Sequence, residues 1–461
     1  MHPALDDAAP GVFWLDRPSA PEPAPALEED LECDLLVVGG GLTGLWAAVQ
    51  AKERDPGLAV TLLEAETVAF GASGRNGGFC MASLTHGERN GIDRFPDEIE
   101  RLQQLGRENL TAIETTVARH DIDCSYEAVG ELTVATREHE AADLEEDAAL
   151  LRELGEDVTV LDRDAVRAEV DSPTYLGGLW KRSGAALVDP ARLCWGLRRA
   201  AIDNGVAVHE RTPVRDLRAD GAGLRAEVPG AAVRARHAVL ATSAFPPLVR
   251  AIRRYVVPVY DYVLTTEPLS PEQMRSVGWR HRQGVGDSGN QFHYYRLTDD
   301  NRILWGGYDA VYHYGNRIDP AIEQAGPTAD TLARHFFETF PQLEGLRFSH
   351  RWAGVIDTCS RFCATFGTAL GGRAAYAVGF TGLGVGASRF GARVALDMLL
   401  DPASPLLGLR LVRSRPLPFP PEPLRWAGIT LTRRQLARAD RTGRRGLWLR
   451  TLDRLGMGFD S

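Results

Sequence analysis

The chain has 461 residues, 44% of them hydrophobic and 25% charged, enough to bury a large core across about two or three domains. Its formal charge of −10 argues against a nucleic-acid binder, and no apolar run reaches the roughly eighteen residues needed to cross a bilayer. The six cysteines are scattered without a C-x-x-C pair, which points to free thiols in a reducing, cytoplasmic setting and to no metal site.

Residues 1–33, rich in Pro, Ala and acids, read as an extended leader lying over the body, with Phe13 and Trp14 as anchors and no signal-peptide pattern. Leu35-Leu36-Val37-Val38 is a short apolar run bounded by glycine, the pattern of a buried parallel strand. It runs into Gly39-Gly40-Gly41-Leu42-Thr43-Gly44, a G-x-G-x-x-G at Gly39, Gly41 and Gly44, and then into a helix from Leu45. A second apolar run, Leu58 to Leu63, ends on Glu64-Ala65, with the acid about twenty residues past the last glycine. The first glycine allows a tight turn, the second lets backbone approach a pyrophosphate, and the third lets helix and strand pack closely. The helix start offers free N–H groups to phosphate, and Glu64 would accept hydrogen bonds from ribose hydroxyls. Strand, turn, helix and acid together point to an adenine dinucleotide, either FAD or NAD.

The next segment, Phe70-Gly71-Ala72-Ser73-Gly74-Arg75-Asn76-Gly77-Gly78-Phe79, surrounds an Arg-Asn pair with small residues and suits backbone passing close to a flat ligand. Charge-rich helices are predicted over 97–120 and 138–154, flanking a strand over 130–136. Asp189 caps a helix that opens with Pro190. A strand pair is predicted from Val214 to Ala226. Ala238 to Thr242 then reads as a further parallel strand carrying a cofactor-facing loop.

From Tyr255 to about Leu346 the pattern changes to alternating strands, with Asp299-Asp300-Asn301 turning a hairpin. Alternation places Tyr260 with Tyr262, and Phe292 with Tyr294 and Arg296, on common faces, and His293 on the opposite, structural one. Tyrosines there would box an amine or pack the sheet. Arg296 would clamp a carboxylate or make a surface ion pair. Ala375 to Ser388 returns to strand, glycine turn and helix, through Gly379, Gly382, Leu383, Gly384 and Val385. Such a helix aims its positive end at whatever lies in front, which suits the electron-rich edge of a reduced flavin and favours FAD over NAD.

The fold class expected is α/β. A Rossmann-type FAD-binding domain (34–110, 165–254 and 347–402), with parallel sheet, helices and a β-meander, is joined to an antiparallel-sheet substrate domain (111–164 and 255–346). Residues 403–461 form a Pro-rich connector and C-terminal helices. From Arg410 onward twelve arginines face four acids, +8 against −18 for the rest of the chain. Two helices docking on the chain's own acidic body is the plainer reading, with an anionic membrane, nucleic acid or an acidic partner as the alternatives.

The chain resembles the D-amino-acid oxidase-like FAD-dependent oxidoreductases of the glycine and sarcosine oxidase type, above all the γ-glutamylputrescine oxidase-like branch. The pieces that carry the resemblance are VVGGGLTGL, LLEAE, GASGRNGGF, VDPARL, AVLAT, TTEPLS, YYRLTDDNRILWGG and YAVGFTGLGVGAS, in that order from residue 34 to about 400. It implies FAD held by Gly39, Gly41, Leu42, Thr43, Gly44, Glu64, Ala65, Val214 and Thr242. The Ser73, Gly74, Arg75, Asn76, Gly77 segment would lie along the flavin, with Gly354, Gly379 and Gly382 to Val385 at its far end. It further implies oxidation of a C–N bond in a small amine or amino acid, with O2 as acceptor, or a dehydrogenase using another acceptor. An FAD-containing binding protein is the remaining alternative. Ala353 stands where some relatives carry a flavin-linking cysteine, so the FAD is expected to be non-covalent. Trp305 stands where those relatives place a lysine. Candidate substrate-side residues are Tyr260, Tyr262, Tyr294, Arg296, Trp305 and Trp352.

Overall fold

The apolar run at the start of the dinucleotide motif ends the strand Leu31–Val38, whose last four residues are buried. It lies inside an eight-stranded sheet, paired in parallel with Ala231–Leu240 on one side and Val60–Leu63 on the other. Ala374–Val378 and Ala207–His209 extend the parallel part, Thr365–Ala369 is an antiparallel edge, and Asp216–Asp220 with Gly223–Val228 form a meander on Ala231–Leu240. The helix Leu42–Arg54, almost wholly buried, packs between this sheet and the helices Pro190–Asp203 and Gly384–Leu400. Burial on every side explains why its apolar pattern is nearly continuous. This computed structural model describes residues 2–324 and 326–457.

A nine-stranded, mostly antiparallel sheet faces the first. Its centre is Val257–Thr266, Ile303–Gly307, His293–Leu297 and Gly284–Asp287, continued by Glu131–Ala135, Gly177–Lys181 and Val158–Leu161. Sheet membership corrects two expected boundaries. Gly177–Lys181 joins this sheet, as does Phe348–Thr358, which pairs with Val257–Thr266 along its full length. Residues 347–358 therefore extend the antiparallel sheet, and the chain crosses to the parallel one only after Thr358. The crossover was hidden because the glycine turn that follows dominates the local pattern.

The leader is tied down where it crosses the GASGRNGGF loop. Trp14 is 1% exposed and its indole N–H donates to Asn76 O at 2.9 Å, while Phe13 packs with Val263, Leu304 and Trp352. All six cysteines are free thiols, five of them buried. Burial pushes Cys80 and Cys124 up to about 12, and Cys33 and Cys363 up to about 11.

Beyond the proline connector, the helix Leu424–Thr442 lies against the antiparallel domain, and the helix Leu447–Arg454 packs on Leu424–Thr442. Residues 458–461 of the expected tail lie outside the described residues. Asp440, 4% exposed, accepts from Asn290 N at 3.0 Å, Asn290 Nδ2 at 2.6 Å and Gln291 N at 2.8 Å. Arg433 pairs with Asp309 at 3.2 Å, and the Tyr312 hydroxyl donates to Glu422. No helix among the described residues is long and apolar enough to cross a membrane. Asp440→Ala takes the acceptor from two part-buried backbone N–H groups, Asn290 and Gln291, at a cost of about 1 kcal/mol each. Limited proteolysis should then cut the connector faster than in the wild type, and an unchanged rate would show that Asp440 does not hold the tail.

Candidate functional site

A cavity of about 1700 Å³ opens between the two sheets. It exceeds the roughly 300–1,000 Å³ typical of a small-ligand pocket and has room for a dinucleotide plus a second molecule. Three glycine segments reach it. In the first, Gly39 has φ +112°, and a Cβ there would come 2.5 Å from Ala241 O. A Cβ on Gly44 would come 1.9 Å from Gly39 O, so helix and turn touch through bare backbone. At the end of Val60–Leu63, the Glu64 carboxylate accepts from Gly40 N at 2.6 Å and from Glu66 N at 2.9 Å. Burial pushes its pKa up against those two bonds.

The second segment folds as a short turn, Ala72–Gly74. Ser73 Oγ accepts from Leu42 N at 2.9 Å, which ties the loop to the dinucleotide helix. The Asn76 side chain donates to Ala72 O and Ser73 O and accepts from Gly78 N, closing the loop on itself. Arg75 donates to Phe70 O, Ala353 O and Glu323, the last at 2.5 Å. The third segment precedes the helix Gly384–Leu400, whose first residues line the cavity. Asp357 fixes it: this 4%-exposed carboxylate accepts from Gly379 N at 2.6 Å and Phe380 N at 3.2 Å.

The antiparallel sheet supplies the opposite wall. Val257, Val259 and Asp261 face the cavity, as do Phe79, Tyr294 and Tyr308. Tyr294 sits in a slot cut by glycines. A Cβ on Gly77 would come 2.6 Å from its ring, one on Gly306 2.5 Å, and one on Gly307 3.3 Å. Its hydroxyl donates to Asp261 Oδ2. Backbone N–H groups of Tyr262 and Gly307 also bear on the Asp261 carboxyl, which burial nonetheless raises to about 6.

The whole of 34–398 matches the family model described as FAD dependent oxidoreductase. The chain belongs to this family. Gamma-glutamylputrescine oxidoreductase of Escherichia coli is 32% identical over 383 residues, 82% of this chain and 86% of that relative. A probable oxidoreductase OrdL of Haemophilus influenzae is 28% identical over 400 residues, 84% and 88% of the two chains. Among solved structures, glycine oxidase from Geobacillus kaustophilus shares the fold with a TM-score of 0.69 at 21% identity, covering 83% of this chain and 99% of that one.

In this FAD-dependent oxidoreductase, most of the residues singled out from sequence come together on the cavity: Gly39, Gly41, Leu42, Thr43, Glu64, Ala65, Ser73, Arg75, Asn76, Gly77, Val214, Thr242, Gly354, Gly382, Leu383, Gly384 and Val385, with Tyr294 on the far wall. Three glycines do not line it. Gly44 and Gly74 allow close packing, a Cβ on Gly74 falling 2.3 Å from Ala69 O, and Gly379 has φ +77° with its N–H on Asp357.

The expected substrate-side residues need more correction. Tyr260 and Tyr262 do share a face, but it is the one turned to the domain's own core, where their hydroxyls meet the Asp319 and Ile322 backbone. Alternation pairs residues correctly without telling which face is which. Trp305 is buried on that side too, stacked on His293 at 4.6 Å. Trp352 stands behind the cavity, its indole N–H donating to Arg75 O at 2.8 Å. Arg296 is 1% exposed and donates to Val188 O and Leu297 O, so it neither lines the cavity nor makes a surface ion pair.

Asp261 and Asp357 escaped the sequence reading. The signal for Asp261 was present, a carboxylate in the middle of an apolar strand between two tyrosines. That for Asp357 was not, because its partners are backbone N–H groups some twenty positions on.

Burial raises Asp357 from an ordinary 3.8 to about 7. The folded chain binds this proton more tightly than the unfolded chain, so the stabilisation is complete below about pH 4 and is lost as pH rises through 7. The unfolding free energy of the wild type minus that of Asp357→Asn should therefore fall steadily from about pH 4 to about pH 7. A difference that is flat or rises with pH across that window would refute the assignment.

Proposed function

We propose that the chain holds FAD non-covalently in this cavity and oxidises a C–N bond of a small amine or amino acid, with O2 as the electron acceptor. The single observation that carries the reading is one cavity joining three close-approach glycine segments to a largely apolar wall that carries Asp261 and Tyr294. The segments suit the cofactor. Gly41 brings backbone to Ser73 with no side chain between, a Cβ there falling 2.8 Å from Ser73 Oγ, and Gly382, at φ +92°, has open space before it. Gly39 to Thr43 and the helix start would take the pyrophosphate, and Glu64 would exchange its bonds to Gly40 and Glu66 for ribose hydroxyls. Ser73 to Gly77 would lie along the ring, and Gly382 to Val385 would offer the helix's positive end to its far edge.

Bound flavin supplies an acceptor for the hydride leaving the substrate carbon, and the resulting imine hydrolyses in water. The chain's part is placement and dryness. The antiparallel wall positions the substrate, the GASGRNGGF loop and tail helices limit water, and the wall's polar groups settle the charge on the nitrogen. Cys359 reaches the cavity, but its buried thiol is pushed up, away from the thiolate a covalent flavin link requires.

A dehydrogenase passing electrons to another acceptor is the second reading, and one observation supports it. Neither lysine is free to serve oxygen: Lys52 is held by Pro56 O and Leu58 O, and Lys181, which lines the cavity, pairs with Glu88 at 2.8 Å and Glu156 at 3.6 Å. Anaerobic mixing of the yellow holoenzyme with a panel of amines and amino acids should bleach the flavin. Rapid return of colour in air is expected of the oxidase, slow return of the dehydrogenase, and a panel that bleaches nothing would defeat both. Acid precipitation should release the flavin into the supernatant.

A further inference from the structure

We propose that Asp261, oriented by Tyr294, receives the cationic nitrogen of the substrate, so that the preferred substrates are amines with no carboxylate next to that nitrogen. This rests on the reading of the chain as an amine-oxidising flavoprotein and adds the charge that the site selects.

The charges lining the cavity are unequal in what they leave unengaged. Arg75 is held by Glu323, Phe70 O and Ala353 O, and Lys181 by Glu88 and Glu156. Arg89 pairs with Asp147 and Glu146, Arg433 with Asp309, and Arg425 donates to Pro420 O and Asn316. Arg296, the expected carboxylate clamp, lies behind the wall on backbone carbonyls. Each of these cations already has partners, so among the described residues an incoming carboxylate meets no arginine or lysine held in waiting.

Asp261 differs. It faces the cavity from the middle of Val257–Thr266, and its neighbours on the same face are Val257 and Val259. The groups acting on its carboxyl are the Tyr294 hydroxyl and two backbone N–H groups, with no cation among them. Across the ladder its partner is Gly354, which sets no side chain over it. The glycine slot around Tyr294 fixes that hydroxyl on Oδ2. What remains is an oriented carboxylate opening onto an otherwise apolar part of the wall, which attracts an ammonium group and repels a carboxylate.

The pair also prepares the substrate. An ammonium nitrogen has no lone pair, and hydride loss from the adjacent carbon needs one. Proton transfer from R–NH3+ to the Asp261 carboxylate breaks one N–H bond and forms one O–H bond, giving R–NH2 and the neutral acid with no change in oxidation state. Burial, by raising this carboxyl to about 6, brings the two proton affinities closer.

The test is an anaerobic titration of the holoenzyme with n-butylamine and n-butyrate, probes of similar size and opposite charge, followed by the flavin's visible absorbance as perturbation or bleaching. The wild type should bind butylamine about tenfold or more tighter than butyrate. Asp261→Asn should weaken butylamine by about tenfold or more and leave butyrate unweakened, while Asp261→Glu should keep the preference for the cation. Wild-type enzyme that prefers butyrate, or an Asp261→Asn holoenzyme with unchanged butylamine affinity, would overturn the proposal. The wild-type comparison stands even if Asp261→Asn does not hold flavin. Charge selection through Asp261 in an enzyme whose flavin no amine reduces would instead overturn the proposed oxidation.

Discussion

The two sheets are brought into register by one buried carboxylate. Asp357 lies one residue before the end of the long antiparallel strand Phe348–Thr358, yet it accepts the N–H groups of Gly379 and Phe380, which follow the last parallel strand. The same crossing is doubled by Thr381 N on Asp357 O at 3.1 Å and by Cys359 N on Thr381 Oγ1 at 3.2 Å. A turn that must hold φ +77° and φ +92° at Gly379 and Gly382, and then launch a helix, needs such an anchor. The desolvation of a carboxylate is offset only by the donors it collects. Those bonds fix where the helix Gly384–Leu400 points relative to the facing wall, and hence the width of the cavity.

The facing wall depends on absence of side chains. Gly77, Gly306 and Gly307 come from two separate segments and together leave a slot of one ring's thickness, which Tyr294 fills. Trp14 and Trp352 brace the loop carrying Gly77 from behind, through Asn76 O and Arg75 O. The N-terminal leader thus reaches the wall's geometry through one hydrogen-bonded peptide group, Asn76 next to Gly77, a longer chain of contact than its position in the sequence suggests.

Legibility from sequence followed the range of each interaction. The G-x-G-x-x-G, the acid Glu64 and the glycine turn before Gly384 are local devices whose residue types are set within a few positions, and all were readable. Sheet membership of Gly177–Lys181 and Phe348–Thr358 rests on partners far along the chain and was not. Alternation told that Tyr260 matches Tyr262. The missing bit, which face looks inward, is fixed by a shared core with Phe336 and Phe340, in and just after a helix more than sixty residues away. The chemistry of Asp261 contradicted its strand, and a polar group in such a position marks a site more sharply than the aromatics beside it.

The buried thiols make the protein report on its own opening. Cys80, Cys124 and Cys194 lie in the core beneath the parallel sheet, while Cys359 and Cys363 lie beside the crossover anchored by Asp357. With their pKa values pushed upward, none offers an appreciable thiolate at neutral pH while the fold is closed. Alkylation by a thiol reagent is thereby gated by local unfolding, and mass mapping of the labelled peptides separates loosening of the crossover from loosening of the dinucleotide core. The chain carries two internal clocks, one for the crossover and one for the dinucleotide core, without an introduced label.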